Sequence, residues 1–310
     1  MDLFLTILWN NVLPLTVMIG LGAALQRLFS LDIRTLSKLN FYVFSPAIMF
    51  QLLYTTEIST RLFGTVMLFC LLFMIAQYAL VETVVRLRRH RAGMRSAMRN
   101  SVLFYNSANY GIPINQLAFS GNPHTLAVQI LVMMVQSLIP NTYGIYTVNA
   151  HKADWRQIRR IIIGMPVIYV IPLALMMRGL NVPLPEFADI SLGYLANAFI
   201  GMALLTLGVQ LGSMKWSFHK SLALDIGLSV MLRLVAGPLL AWLITLPLGL
   251  DALTASALIV SSAVPTSLSS ALLAVEFDNE KEFSSQAVFF STVFSIVTVT
   301  IVIGLVYTGS

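Results

Sequence analysis

The side chains of this sequence best suited to chemistry stand in an unlikely solvent. Residues 106 to 113 read NSANYGIP and residues 261 to 267 read SSAVPTS, and each stretch interrupts an apolar run long enough to cross a bilayer. The amides, hydroxyls and backbone-freeing residues they bring are Asn106, Asn109, Gly111 and Pro113 in the first, and Ser261, Ser262, Pro265 and Thr266 in the second. Proline lacks an N–H and has a helical φ, so it fits the first turn of a helix. Pro113 and Pro265 are therefore expected to start new half-helices. Each half-helix N-terminus would aim free N–H groups and about half a positive charge at its break. The chemistry this predicts is binding of an anion, notably a carboxylate.

Catalysis is not expected. The sequence has no H-E-x-x-H, no G-x-S-x-G and no Gly-rich phosphate loop ahead of a Lys, and Ser261 and Ser262 have no base in view. The four histidines, His90, His124, His151 and His219, fall at loops or at the ends of apolar runs. The single cysteine, Cys70, excludes an internal disulfide and a cysteine metal cluster. No cofactor or metal is expected.

The elements that must position these residues follow from composition. Hydrophobic residues make up 57% of the 310, charged residues 10%, and the mean hydropathy is +0.82, values of an integral membrane protein. Apolar runs fall near 3–28, 32–54, 61–85, 97–121, 124–149, 161–179, 189–212, 220–246, 251–276 and 284–308, ten spans in all. The first begins with Asp2 and is followed, not preceded, by Arg27, so it reads as a retained helix and not a signal peptide. The net charge of +6 belongs to topology and not to nucleic acid, because the basic residues sit in short connections. Sixteen of the 19 Lys and Arg lie on the odd connections, Arg61 and Arg178 on the even ones, and Arg233 inside a span. The positive-inside rule then places both termini outside the cell. The basic segment RLRRHRAGMRSAMR, 86–99, reads as a topology signal with anionic lipid or a partner as its alternative.

Pro113 and Pro265 stand 152 residues apart, close to half the chain, each in the same ordinal span of its half. Two five-span halves, 1–150 and 156–310, account for this, and an odd number of spans per half turns the second upside down relative to the first. Unwound backbone survives at membrane depth only where protein, water or a ligand satisfies it. A polar site between the two breaks follows. Pro14, Pro46, Pro140, Pro166, Pro172 and Pro238 read as simple kinks.

Other polar residues also need an account. Gln136 and Asn141 in the fifth run are amides of the kind that bond between membrane helices, worth about 1 kcal/mol each. Arg233, a candidate for coupling or gating, costs about 2.5 kcal/mol or more at bilayer depth and must face the interior, pair or snorkel. Its partner is either Asp225, some 80° round the helix, or the negative C-terminal end of a half-helix. Glu82, Asp225 and Glu276 stand near span ends, where solvated carboxylates are usual. Of these, Glu276 closes the half-helix that Pro265 begins and is the candidate for a proton. The fifth run has no Asp or Glu, which argues against cation antiport. Proton coupling and a potential-driven uniport both stay open, the latter worth about 2.3 kcal/mol per charge per 100 mV.

FYNSANYGIPI, SSAVPTSLSSALLAVEFD and the closing STVFSIVTVTIVIGLV resemble the auxin efflux carrier family, whose bacterial members include carriers of malonate and related organic acids. The likeness runs over essentially the whole chain. The family signature of the fourth span is matched by Asn106, Gly111, Ile112 and Pro113, while Ala108 and Asn109 stand where its first Gly is usual. The resemblance implies an all-α membrane fold of ten helices in two inverted repeats, shared with bile acid and sodium/proton carriers. Helices 1, 2, 6 and 7 (about 3–54 and 161–212) would form a scaffold. Helices 3–5 and 8–10 (about 61–149 and 220–308) would form a moving core, with broken helices 4 and 9 crossing. It implies elevator-like transport of a small organic anion across a bacterial inner membrane. The substrate would be held by Asn106 and Pro113 at one break and Ser261, Pro265 and Thr266 at the other, with Gln136 and Asn141 nearby. It also implies a homodimer through the scaffold; Gly201, Gly208, Ser45 and Ala47 would permit close helix contact, between subunits or inside one equally well. A receptor without transport and a cation-coupled symporter are the alternatives. The first would need a partner-facing domain or long loops.

Overall fold

The computed structural model describes residues 2–56, 58–148, 156, 163–164, 166–214 and 220–309. These form helices joined by turns and unwound segments, and no strand occurs among the described residues. α1 runs through Asp2–Ile7, Leu8–Val12 and Leu13–Phe29, and α2 through Ile33–Leu39, Asn40–Phe44 and Ser45–Thr55. α3 is Thr60–Leu87, α4 Ala92–Leu103 and α5 Gly111–Ala118. α6 joins Pro123–Ile139, Pro140–Gly144 and Ile145–Val148. α7 is Pro166–Gly179 and α8 Glu186–Ser213. α9 joins Ala223–Met231, Leu232–Ala236 and Gly237–Thr245, after which come α10, Ala252–Ser262, α11, Leu268–Glu276, and α12, Lys281–Gly309. Six helices are long and apolar enough to cross a membrane: Phe4–Phe29, Thr60–Leu87, Pro123–Gly144, Glu186–Ser213, Ala223–Thr245 and Lys281–Tyr307.

Three prolines read as kinks take one common form. Pro14, Pro46 and Pro238 each stand two residues beyond a π turn, at Leu8–Val12, Asn40–Phe44 and Leu232–Ala236. A proline removes one N–H from the ladder and crowds the carbonyl four residues back. The wider π turn relieves both at once.

α8 packs closely against both α1 and α2, and α7 lies against α2. The approach of α1 to α8 depends on glycine. A Cβ at Gly22 would stand 2.2 Å from the Leu205 carbonyl oxygen, and one at Gly208 would stand 2.1 Å from that of Ile19. Gly208 is thus spent inside the chain and not at a subunit face. Ser45 and Ala47 are likewise buried within the fold. Asn40 fastens α2 to α8, its amide donating to Thr206 Oγ1 at 2.7 Å and to Met202 O at 3.3 Å.

The basic segment expected as a loop is largely helix. α3 continues to Leu87 and α4 begins at Ala92, so Arg95 and Arg99 are helical. The expectation that Glu82 and Asp225 are solvated end groups is also overturned, since each residue is buried, 8% and 7% exposed. Glu82 accepts from Arg86 Nε at 2.7 Å, Arg95 Nη2 at 3.0 Å and Arg99 Nε at 3.0 Å, with a second, short bond from Arg99 Nη2. Asp225 takes Arg88 Nη2 at 3.0 Å and lies 3.2 Å from His90 Nε2. These pairs tie the α3–α4 connection down onto α3, α4 and α9.

Candidate functional site

The chain unwinds twice, at residues 104–110 between α4 and α5 and at 263–267 between α10 and α11. The two unwound segments meet. Tyr105 and Thr266 form an isolated antiparallel bridge, in which Asn106 N donates to Pro265 O and Ser267 N to Phe104 O, both at 2.8 Å. Each break therefore supplies the backbone partner that the other lacks, which answers the problem of a bare peptide in hydrocarbon.

Side chains finish the carbonyl ends of the two incoming half-helices. Thr266 Oγ1 donates to Ser101 O at 2.8 Å, and Gln136 Nε2 donates to Leu103 O at 3.3 Å. Gln136 Oε1 accepts from Tyr105 N at 3.3 Å, so this amide grips the break on both sides. Arg233 spans the remaining pair. Nη1 donates to Val102 O at 3.0 Å and Nη2 to Ser262 O in a short bond. Its guanidinium lies 4.6 Å from the ring centre of Tyr105 and 5.8 Å from that of Phe73. Of the two partners weighed for Arg233, the half-helix C-termini hold it. Asp225 is engaged elsewhere, with Arg88 and His90.

The N-terminal ends differ from the expectation of free donors. Gly111 N donates to Asn106 O at 2.9 Å and Ile112 N to Ala108 O at 3.2 Å. Ser267 caps α11, its Oγ accepting from Ser269 N at 3.2 Å. The dipole ends point at the crossing, but most of their N–H groups are taken by the turn itself. Gly111 has a steric role as well, because a Cβ there would stand 2.4 Å from Gln129 Nε2. That amide donates to Ser107 O at 2.8 Å and packs α6 against the first break.

Of the remaining predicted residues, Asn106 and Pro113 are buried and Asn109 is half-buried. Ser262 Oγ turns back to Ile259 O at 2.6 Å. Ser261 Oγ is buried with no partner, as are both amide atoms of Asn115 on α5. The side chains of Asn141 and Glu276 lie outside the described residues. Sequence reasoning missed Ser291, whose Oγ accepts from Thr266 N at 3.2 Å, and Tyr110, whose hydroxyl lies 3.1 Å from Ser295 Oγ. It also missed the Ser101–Ser229 hydroxyl pair at 2.7 Å. A hydroxyl within an apolar helix gives no signal of which neighbour it meets.

A cavity of about 440 Å³ opens beside the first break. α1 and α8 line one side through Thr16, Ile19 and Leu211, α12 the other through Phe289 and Thr292, with Tyr110 at the break and Arg27 at the end of α1.

A family model described as "Membrane transport protein" matches residues 156–303. A protein of Methanothermobacter thermautotrophicus described as "Uncharacterized transporter" is 25% identical over 296 residues, covering 93% of this chain and 95% of that one. Both comparisons support a membrane transporter. For a transporter, a seam where two interrupted helices meet beside a cavity is where a solute would be bound and passed.

Proposed function

We propose that this chain is a secondary transporter that moves a small organic anion, a carboxylate, by alternating access of an elevator type, the anion bound at the crossing of the two interrupted helices. The observation that carries the reading is the bridge between residues 104–106 and 265–267 with the Arg233 guanidinium buried beside it. Two half-helix N-termini converge there, while Arg233 offsets the two half-helix C-termini, so the field left at the crossing favours negative charge. Because most of the backbone N–H groups are engaged, the direct donors to the anion would be side chains. In this reading the donors are the Asn106 and Asn109 amides and the unpartnered Ser261 hydroxyl, with Gly111, Pro113, Ser262, Pro265 and Thr266, whose hydroxyl is spent on Ser101 O, shaping the backbone. The cavity between α1, α8 and α12 would give the route from one side of the membrane.

In this reading the halves 1–150 and 156–310 are inverted five-helix repeats. Helices within 3–54 and 161–212 stay fixed while 61–149 and 220–308 move. The likeness to malonate-type carriers supports a dicarboxylate as the first solute to try, an inner membrane location and a homodimer, and the distribution of Lys and Arg over the connections supports both termini outside. The tight glycine contact of α1 with α8 supports a rigid scaffold.

The test is uptake and counterflow in proteoliposomes with labelled mono- and dicarboxylates, under imposed pH gradients and voltages. Saturable flux of an anion that falls at least tenfold in both Asn106→Ala and Pro265→Ala supports the reading and identifies the driving gradient. Flux indifferent to both substitutions, or none for any acid, overturns it.

A further inference from the structure

The contacts of Arg233 extend beyond the transport reading and do not depend on which solute is carried. The residue sits in the π turn of α9 with no exposed surface. Among the described residues no carboxylate pairs with it. Nη1 and Nη2 go instead to Val102 O and Ser262 O, near or at the last turns of α4 and α10, Nε is buried without a partner, and the face rests on Tyr105. Each helix C-terminus carries about half a negative charge. Two of them brought together at the crossing sum to about one negative charge in a medium that cannot screen it. One guanidinium cancels that charge.

We propose that the crossing contains a monovalent-cation site, built from the carbonyl ends of α4 and α10 and the Tyr105 ring, that the protein fills permanently with its own Arg233. A site of main-chain oxygens and an aromatic face is the kind that holds a weakly hydrated organic cation. Since Arg233 already neutralises it, a metal ion entering the same place would leave an uncompensated positive charge at bilayer depth. The crossing therefore takes up no Na⁺, Li⁺ or K⁺, and none of these is a co-substrate through this site. Gly237, one turn along α9, belongs to the same arrangement, since a Cβ there would stand 2.9 Å from Arg233 Nη2 and 3.2 Å from Ser262 O.

The site is tested on the purified full chain in nanodiscs by thermal unfolding, a readout that needs no substrate. At constant ionic strength the wild type is expected to melt at the same temperature in Na⁺, Li⁺, K⁺ or choline. Arg233→Ala should melt about 5 °C or more lower. It should regain at least half of that loss, saturably, in methylguanidinium but not in methylurea, a neutral molecule of nearly the same shape. A saturable rise of the wild type in Na⁺ or Li⁺ overturns the inference, as does an alanine variant that methylurea restores equally well or that methylguanidinium leaves unchanged. Arg233→Lys against Arg233→Gln gives an answer even where the alanine variant is not recovered. The charged replacement should give the higher yield and melting temperature, and a glutamine variant equal to or better than lysine overturns the inference. If the carboxylate flux assay fails while these results hold, the carried solute is wrong and the cation site stands.

Discussion

Glu82→Gln tests whether the α3–α4 connection is held by one buried carboxylate. The substitution keeps the shape and removes the charge that three arginines share. Their exposures differ and set the magnitude. The side chain of Arg86 is 72% exposed, that of Arg95 38% and that of Arg99 16%. An exposed pair contributes about 0–1 kcal/mol, so Arg86 and Arg95 together account for little. Removing one partner of a buried pair costs about 3–5 kcal/mol, because the other charge is left without its counter-ion. Arg99 is close to that limit, though its residual exposure and its contact with Tyr78, 5.3 Å from the guanidinium, cushion it. We expect Glu82→Gln to lower stability by about 2–3 kcal/mol. Arg99→Gln should fall almost as far, and Arg86→Gln should stay within about 0.5 kcal/mol of wild type. The assay is reversible denaturant unfolding in bicelles, repeated at low and high salt, where the Arg86 effect should shrink and the Arg99 effect persist. A loss below about 0.5 kcal/mol for Glu82→Gln, or Arg86→Gln as damaging as Arg99→Gln, would refute the burial argument.

Thr266→Val strands the buried Ser101 carbonyl and should cost about 1–3 kcal/mol by the same unfolding assay, while Thr266→Ser should stay within about 1 kcal/mol. Gly208→Ala drives a methyl into the Ile19 carbonyl region and should cost at least about 1–3 kcal/mol, with a fall in folded yield; the neighbouring Gly201→Ala, whose Cβ meets only Met18 Cε at 3.9 Å, should be neutral.

The breaks were legible because their residues are wrong for a lipid-facing helix: Asn, Ser, Gly and Pro inside an apolar run admit few other readings. Arg233 was legible for the same reason, as was its need for a counter-charge. The choice between its partners was not, since it depends on which residues of α4 and α10 the fold brings to α9. The bridge between 104–106 and 265–267 is invisible for a simpler cause. It is made of backbone atoms, which every residue carries alike. Free N–H groups at a half-helix starting with Pro113 were expected from the proline alone, but the helix begins at Gly111, and the turn ahead of it uses Gly111 N and Ile112 N internally. Glu82 was misread because proximity to a span end says nothing of whether three guanidinium groups will fold over it.

The bridge at the crossing has a consequence for how the protein is made. The bond from Thr266 to Ser101 reaches across 165 positions of sequence. At about 5–20 residues per second, the ribosome needs about 8–30 s to deliver the second segment after the first. Throughout that interval Phe104 O and Asn106 N, whose partners are Ser267 and Pro265, and Ser101 O, whose partner is Thr266, are left open and cannot rest in lipid. The nascent first half must wait in the insertion machinery, against a chaperone or in contact with water. Completion of the segment around Pro265–Ser267, and not of the first half, is the moment at which the chain becomes free to leave.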